Sequence, residues 1–508
     1  MAGSERQFVS RLVPSSQKLL TVLLVAVAVV NSATLGYDSS VMSGLLILPS
    51  YTEYFHLTTA TVGLNNAASW MGSILGSFAM QPIPDRFGRK RAILVSSCVT
   101  FVGIILQAAS QNIAMFVVAR VIVGFGSQLS NACAPTLLGE LLPSRTRGRV
   151  LGIYFSCFYV GSLLSSIINY GSQHIQSTWA WRLPSLLQFI PSIIAISLLP
   201  FVPESPRWLI SKGNDAHAQE VLLVMQGAGN QDVDTAAASL HEIKAVMARE
   251  EKEYPRNAWR ELIATRSNRK RLFILVAFGT MINTVGNFIT SWYLAKILDQ
   301  AGVTDTNTQL QISVGMDCWS FIVAIAGSFM LDVFGRRLQT LVCLAGMTVT
   351  LFIIGGMIKA YGNTSDHAGI YGTIALIFLF RALYAFSITP MTSLYPTEIS
   401  QYKLRAAGIA VFRFCDSAFG LAFSFAMSYA MADLGWRFYL VNAAWDVVFG
   451  AVVFLCFPET KGVALEDVAR FFEGPWLLEA ALAEDVDAPA PTRVRENVGE
   501  GKGFGGLR

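Results

Sequence analysis

Long apolar runs dominate this chain and leave few ways to fold it. Twelve stretches, approximately 19–47, 60–80, 92–110, 113–138, 150–171, 181–201, 271–296, 310–331, 339–360, 369–394, 406–432 and 436–457, are each long enough to cross a bilayer, for which a helix needs about 20 apolar residues. Hydrocarbon offers backbone polar groups no partner, so these runs must be helical. Of 508 residues, 53% are hydrophobic and 14% charged, against about 25% charged in a soluble domain. The fold class is an all-α membrane protein. The first run continues through "TLGYDSSVMSGLLIL" without a small-residue cleavage pattern, so it reads as a spanning helix and not a removable leader.

Basic residues set the expected orientation. Arg6, Arg11 and Lys18 precede the first run, Arg86, Arg89, Lys90 and Arg91 follow the second, and Arg145, Arg147 and Arg149 follow the fourth. The alternate loops 48–59 and 111–112 hold no Lys or Arg. Both termini are therefore expected in the cytoplasm. The sequon Asn363-Thr364-Ser365 then falls outside, which marks Asn363 as the expected glycosylation site. The net charge of +4 belongs to these loops and points to no nucleic-acid partner. All seven cysteines (98, 133, 157, 318, 343, 415, 456) lie inside the runs and read as small packing residues, with no disulfide framework.

One long interior loop separates six runs from six, and the chain repeats itself around it. "DRFGRK" at 85–90 returns as "DVFGRR" at 332–337, "PES" at 203–205 as "PET" at 458–460, and Glu140 with Arg147 as Glu398 with Arg405. Each recurrence comes about 250 residues later, the mark of a duplicated unit. The expected division is a cytoplasmic N-terminus 1–18, a six-helix bundle 19–201, a cytoplasmic loop 202–270, a second six-helix bundle 271–457 and a cytoplasmic tail 458–508. The loop carries helical stretches around 215–226 and 236–252. Residues 476–508, rich in Ala, Pro and Gly, are expected to be disordered.

"DRFGRK", "GELLPSRTRG", "PESPRWL", "DVFGRR", "LYPTEISQYKLRAAG" and "PETKG" together resemble the sugar porter branch of the major facilitator superfamily, over about residues 20–475. "GYDSSVMSGL", "GNFITSWYLAKIL" and "TPMTSLYPTEI" resemble its fungal lactose and cellodextrin permease-like subgroup. The resemblance implies a major facilitator fold of twelve transmembrane helices in two six-helix bundles, rocking about a central site. It also implies a plasma-membrane protein that works as a monomer, whose partners are the lipid bilayer and a small-molecule substrate. The motif charges Asp85, Arg86, Arg89, Glu140, Arg147, Glu204, Asp332, Arg336, Glu398, Arg405 and Glu459 are expected to form gating latches between the bundles. Where the family usually has glycine, four residues before the first aspartate, this chain has Gln81.

Asp38 lies within the first run, and Arg120 is the other charge deep in the first six, hence its expected partner. An aspartate beside arginine stays ionised, and one drawn away from it can take a proton. The five histidines all fall in loops, so none can relay protons within the membrane. In the resembling proton-coupled porters an aspartate and an arginine occupy these positions, so the proton is the expected coupling ion and no cofactor is called for.

Hexoses are held by amides and indoles. The resemblance places substrate contacts at Asn283, Gly286, Asn287, Tyr293, Trp319, Ser320 and Thr389. Several family amides are replaced: Phe155 stands where a glutamine is usual, Ser320 and Asp416 where asparagines are, and Ile388 for a tryptophan. Asp416 lies 11 residues beyond Arg405, about 16 Å along a helix and near the midplane. Arg413, three residues before it, shares its face. Asp317, Arg381 and Asp446 are further charges at membrane depth. Such groups neutralise one another in an ion network through the eighth, tenth and eleventh helices, or Arg413 and Asp416 touch substrate. The leading reading is a secondary active, proton-coupled transporter of a sugar or sugar-like solute, moving it inward. The alternatives are a transporter or exporter of a non-sugar metabolite such as a hydroxylated acid, and a non-transporting nutrient sensor. No nucleotide loop, metal cluster or nucleophile elbow supports an enzyme.

Overall fold

The computed structural model describes residues 8–14, 16–142, 154–226, 232–253, 258–361, 367–400, 404–461 and 472. The first half holds α1 (Gln17–Leu45), α2 (Thr59–Ala79), α3 (Arg89–Ala108), α4 (Ile113–Leu141), α5 (Phe158–Ser172) and α6 (Trp179–Phe201, broken at Gln188). The second holds α7 (Arg266–Thr284), α8 (Thr306–Phe334), α9 (Arg336–Tyr361), α10 (His367–Ile399), α11 (Arg405–Asp433) and α12 (Arg437–Cys456). Between them stand the helices Asp215–Gln226 and Asp232–Glu253, near the stretches the sequence suggests. Residues 476–508, expected to be disordered, lie outside the described residues.

The chain is a multi-pass membrane protein. Among the described residues, nine helices are long and apolar enough to cross a membrane. The three other expected spans fall short for local reasons. The inner face of α2 carries Asn65, Asn66, Ser69, Ser73 and Ser77, α5 runs for 15 residues after a break at Cys157, and α7 opens on Arg266, Arg269, Lys270 and Arg271 and stops at Thr284. Outward-facing aliphatic and aromatic side chains such as Leu75, Val102, Ile105, Phe329 and Leu455 are exposed, as lipid contact requires.

Helix starts follow capping chemistry. Asn112 accepts from the Met115 N–H at 2.8 Å to open α4, and Asp305 from the Thr308 N–H at 2.9 Å to open α8. Close packing then rests on small residues. A Cβ on Gly36 of α1 would stand 1.9 Å from the Phe158 carbonyl, and one on Gly161 of α5 1.8 Å from that of Ala33. Across the halves, α2 packs on α11 and α5 on α8, and the central cavity lies between the halves.

The cysteines are all free, but Cys98, Cys318 and Cys456 are exposed and not packed, contrary to expectation. Gln81 occupies an ordinary right-handed conformation at φ −95°, so nothing in its backbone demands the family's glycine. The sequon at Asn363 lies outside the described residues.

Candidate functional site

The cavity has a volume of about 160 Å³ and takes its lining from both halves. The first half contributes Asp38 from α1, Trp70 from α2, and Ser127, Gln128 and Asn131 from α4, with Phe155 and Tyr159. The second contributes Asn283 from α7, Asn287 and Ser291 from the short helix after it, Arg381, Tyr384 and Thr389 from α10, and Arg413 and Asp416 from α11. Four charged side chains therefore face one space, two acidic and two basic.

Asp38 is buried. Its carboxylate accepts from the Ser127 hydroxyl and from the Gln188 amide, which the break in α6 brings into reach. Arg120 is fully buried, but Nη1 donates to the main-chain carbonyl of Asp38 at 3.0 Å instead of to its carboxylate. Asp38 and Arg120 are thus neighbours, as expected, but their contact runs through the Asp38 main chain, and the hydrogen bonds to the carboxylate come from two neutral donors.

The charges of the second half resolve into two separate pairs and not one network. Arg381 faces Asp317 at 3.8 Å and also donates to Asn287 at 3.0 Å and to Ser291. Asp317 accepts from Ser166, across the halves, at 2.5 Å. On α11, Arg413 faces Asp416 at 3.5 Å, and Asn283 donates to Asp416 Oδ1 at 2.7 Å. Phe155 and Phe412 each place a ring 5.3 Å from the Arg413 guanidinium. Asp446 of α12 is buried away from these, with neither carboxylate oxygen hydrogen bonded.

Of the expected substrate contacts, Asn283, Asn287, Thr389, Arg413 and Asp416 line the cavity. Four others do not. Trp319 is 43% exposed on the outer side of α8, because its place on the helix turns it from the buried Asp317 and Ser320 face. Ser320 donates to the Met316 carbonyl of its own helix at 2.7 Å. Gly286, at φ +85°, makes the break after α7, and Tyr293 is tied to the Ser424 carbonyl at 2.7 Å and to Ser428 at 2.6 Å. Trp70, Ser127, Gln128, Asn131, Tyr159 and Ser291 were missed. For α4 the signal was present: the polar stripe Ser127, Gln128, Ser130 and Asn131 interrupts an apolar helix.

Among the described residues, the ion pairs that the motif charges form lie within each half. Arg89 faces Asp85 at 3.5 Å and Glu140 at 3.2 Å. Arg336 faces Asp332 at 3.1 Å and grips Glu398 with two nitrogens at 2.9 and 3.2 Å. Arg86 lies against the ring of Phe87. Arg147 and the side chain of Arg405 lie outside what the structure describes.

Residues 24–472 match the family model described as sugar (and other) transporter. The chain is 28% identical to an MFS glucose transporter of Aspergillus flavus over 88% of both chains. It is 25% identical to the H(+)/hexose cotransporter 2 of Parachlorella kessleri, over 88% of this chain and 86% of that one. The solved structure of the proton:xylose symporter XylE bound to 6-bromo-6-deoxy-D-glucose superposes with a TM-score of 0.75 at 21% identity, over 90% of this chain and 100% of that one. That likeness shows the major facilitator fold. With a family model spanning nearly its whole length, the chain belongs to the sugar (and other) transporter family.

Proposed function

We propose that this protein is a secondary active transporter that carries a sugar or sugar-like polar solute together with a proton, by alternating access. The observation that carries the reading is Asp38, a buried carboxylate that lines the cavity, accepts hydrogen bonds from the neutral donors Ser127 and Gln188, and has the buried Arg120 on its own main-chain carbonyl. A carboxylate so placed faces solute and water from one side of the membrane at a time, and takes or gives a proton according to which side that is. The amides Gln128, Asn131, Asn283 and Asn287 with Trp70 supply the donors, acceptors and flat apolar surface that a polyhydroxylated ring needs. The glucose and hexose names of the relatives point the same way.

The basic loops support cytoplasmic termini, and on this reading the protein resides in the plasma membrane and imports its solute as a monomer. The fungal relatives support the sugar transporter family, and the lactose and cellodextrin permease-like subgroup rests on the motifs "GYDSSVMSGL", "GNFITSWYLAKIL" and "TPMTSLYPTEI". The paired motif charges act as stiffeners at the base of each half, so that gating is a motion of whole bundles. Purified protein in liposomes tests the coupling: solute should accumulate above equilibrium when the pH gradient is inward, and identical uptake with and without that gradient would refute it.

A further inference from the structure

Phe155 and Asp416 stand where the resembling sugar porters keep amides, and in this fold the two replacements meet at one residue. Phe155 lies over one side of the Arg413 guanidinium, 5.3 Å away, and Asp416 approaches Nη1 at 3.5 Å. Asp416 is shared, because Asn283 occupies its Oδ1 at 2.7 Å. A guanidinium has five N–H donors in a planar fork, and Asp416 is its one acidic neighbour within ion-pair distance among the described residues. Arg413 is buried and lines the cavity, where a charge with unused donors is costly to keep. The lost amides have been replaced by a seat for a cation that points at the solute.

We infer that the solute is a polyhydroxylated carboxylate, a sugar acid and not a neutral sugar, with its carboxylate on Arg413. This rests on the proposed function and narrows it. A planar fork matches a carboxylate through two parallel hydrogen bonds, and Gln128, Asn131 and Asn287, each engaged through one amide atom by Ser77, Tyr154 and Arg381, line the cavity with the other for the hydroxyls. Charge balance adds a consequence. The charged lining residues Asp38, Asp416, Arg381 and Arg413 sum to zero. A proton on Asp38 leaves one positive charge, which one monoanion cancels. Proton and monoanion then cross together with no net charge moved.

The test uses the full chain in liposomes, with D-glucose, D-gluconate and D-glucuronate as probes and the membrane potential clamped by potassium and valinomycin. The acids should compete in counterflow at concentrations at least tenfold below glucose. Uptake of the acid driven by the pH gradient should be the same at zero and at −100 mV. Arg413→Gln should reduce the acid-over-glucose preference at least tenfold, and Arg413→Lys should keep part of it. Preferred glucose uptake accompanied by inward current overturns the inference in wild-type protein, with no variant needed, and leaves the proposed function standing. Acid uptake indifferent to the pH gradient refutes the coupling instead and leaves the selectivity.

Discussion

Glu204 and Glu459, 255 positions apart in the duplicated motifs, hold equivalent helix ends in the two halves. Glu204 accepts from the main-chain N–H groups of Arg89 at 3.0 Å and Lys90 at 3.1 Å, at the start of α3. Glu459 accepts from those of Arg336 at 2.8 Å and Arg337 at 3.0 Å, at the start of α9. The glycine before each helix leaves room: Gly88 and Gly335 lie at φ +95° and +88°, and a Cβ would stand 2.4 and 2.6 Å from the respective carboxylates. Each carboxylate therefore closes a helix N-terminus, where negative charge is favoured.

Removing one of these charges should cost about 1.5–3 kcal/mol, the range for hydrogen bonds to a charged group. Glu204→Gln and Glu459→Gln should each lower the melting temperature of the detergent-purified protein, and their effects should add, since the sites share no contacts. Gly88→Ala should do similar damage through strain and the clash with Glu204. Unchanged melting in both Gln variants would mean that the two caps are ornamental.

Asp38→Asn keeps the shape of the side chain and removes its capacity to bind and release a proton. Uphill accumulation should fall to a ratio of about one, while counterflow exchange, which needs no net proton movement, persists. Uptake by the parent protein should rise as the outer solution is acidified, and the variant should be flat with pH. Proton-driven accumulation surviving in Asp38→Asn would remove this residue from the mechanism.

How much of this was legible in the sequence depended on the kind of constraint. Spanning helices and the duplication were readable because apolar length and short charged motifs are local properties. The pairing of Arg89 with Glu140 and of Arg336 with Glu398 was half visible: the members were recognised, but the choice of partner within a half is made by tertiary packing. Trp319 failed because a motif position does not state which way a helix is rotated, and a turn of α8 that buries Asp317 and Ser320 exposes the indole. For Arg120 the neighbour was legible but the contacting atom was not, because the arginine meets the main-chain carbonyl of Asp38 and not its carboxylate.

The Asp317–Arg381 pair should behave as a buried ion pair. Asp317→Asn or Arg381→Gln alone leaves a buried partner uncompensated and should destabilise the protein by about 3–5 kcal/mol, while an apolar pair such as Asp317→Leu with Arg381→Met should restore folding. Transport should not return with it, since Arg381 lines the cavity. Ser166→Ala should have a smaller effect, about 1 kcal/mol, through loss of the bond that crosses the halves. A double-mutant cycle on melting temperature measures the coupling, and purely additive single changes would show that the pair is not one unit.

The N-terminal segment supplies the last prediction. Val9 and Val13 are buried in a cluster with Leu24, Val221 and Met225, so the chain before α1 straps the helix Asp215–Gln226 to the first half. The main-chain N–H groups of Phe8 and Val9 donate to Glu220 at 2.9 and 3.2 Å, and the Phe8 ring stacks on His217 at 5.9 Å. Burying each valine contributes about 1.5–3 kcal/mol, so Val9→Asp should release the strap and speed hydrogen exchange along Asp215–Gln226. Burial lowers the pKa of His217 below its ordinary value, with Glu220 pulling the other way. A histidine held more neutral in the docked state than when free loses stability as the pH falls through about 6.5, because the free state binds the proton first. Exchange in this helix should therefore quicken between pH 7.5 and 5.5 relative to the intrinsic chemical rate, and His217→Gln should abolish the quickening. The same protection at both pH values in the parent protein would rule out His217 as the sensitive contact, and unchanged exchange in Val9→Asp would rule out the strap.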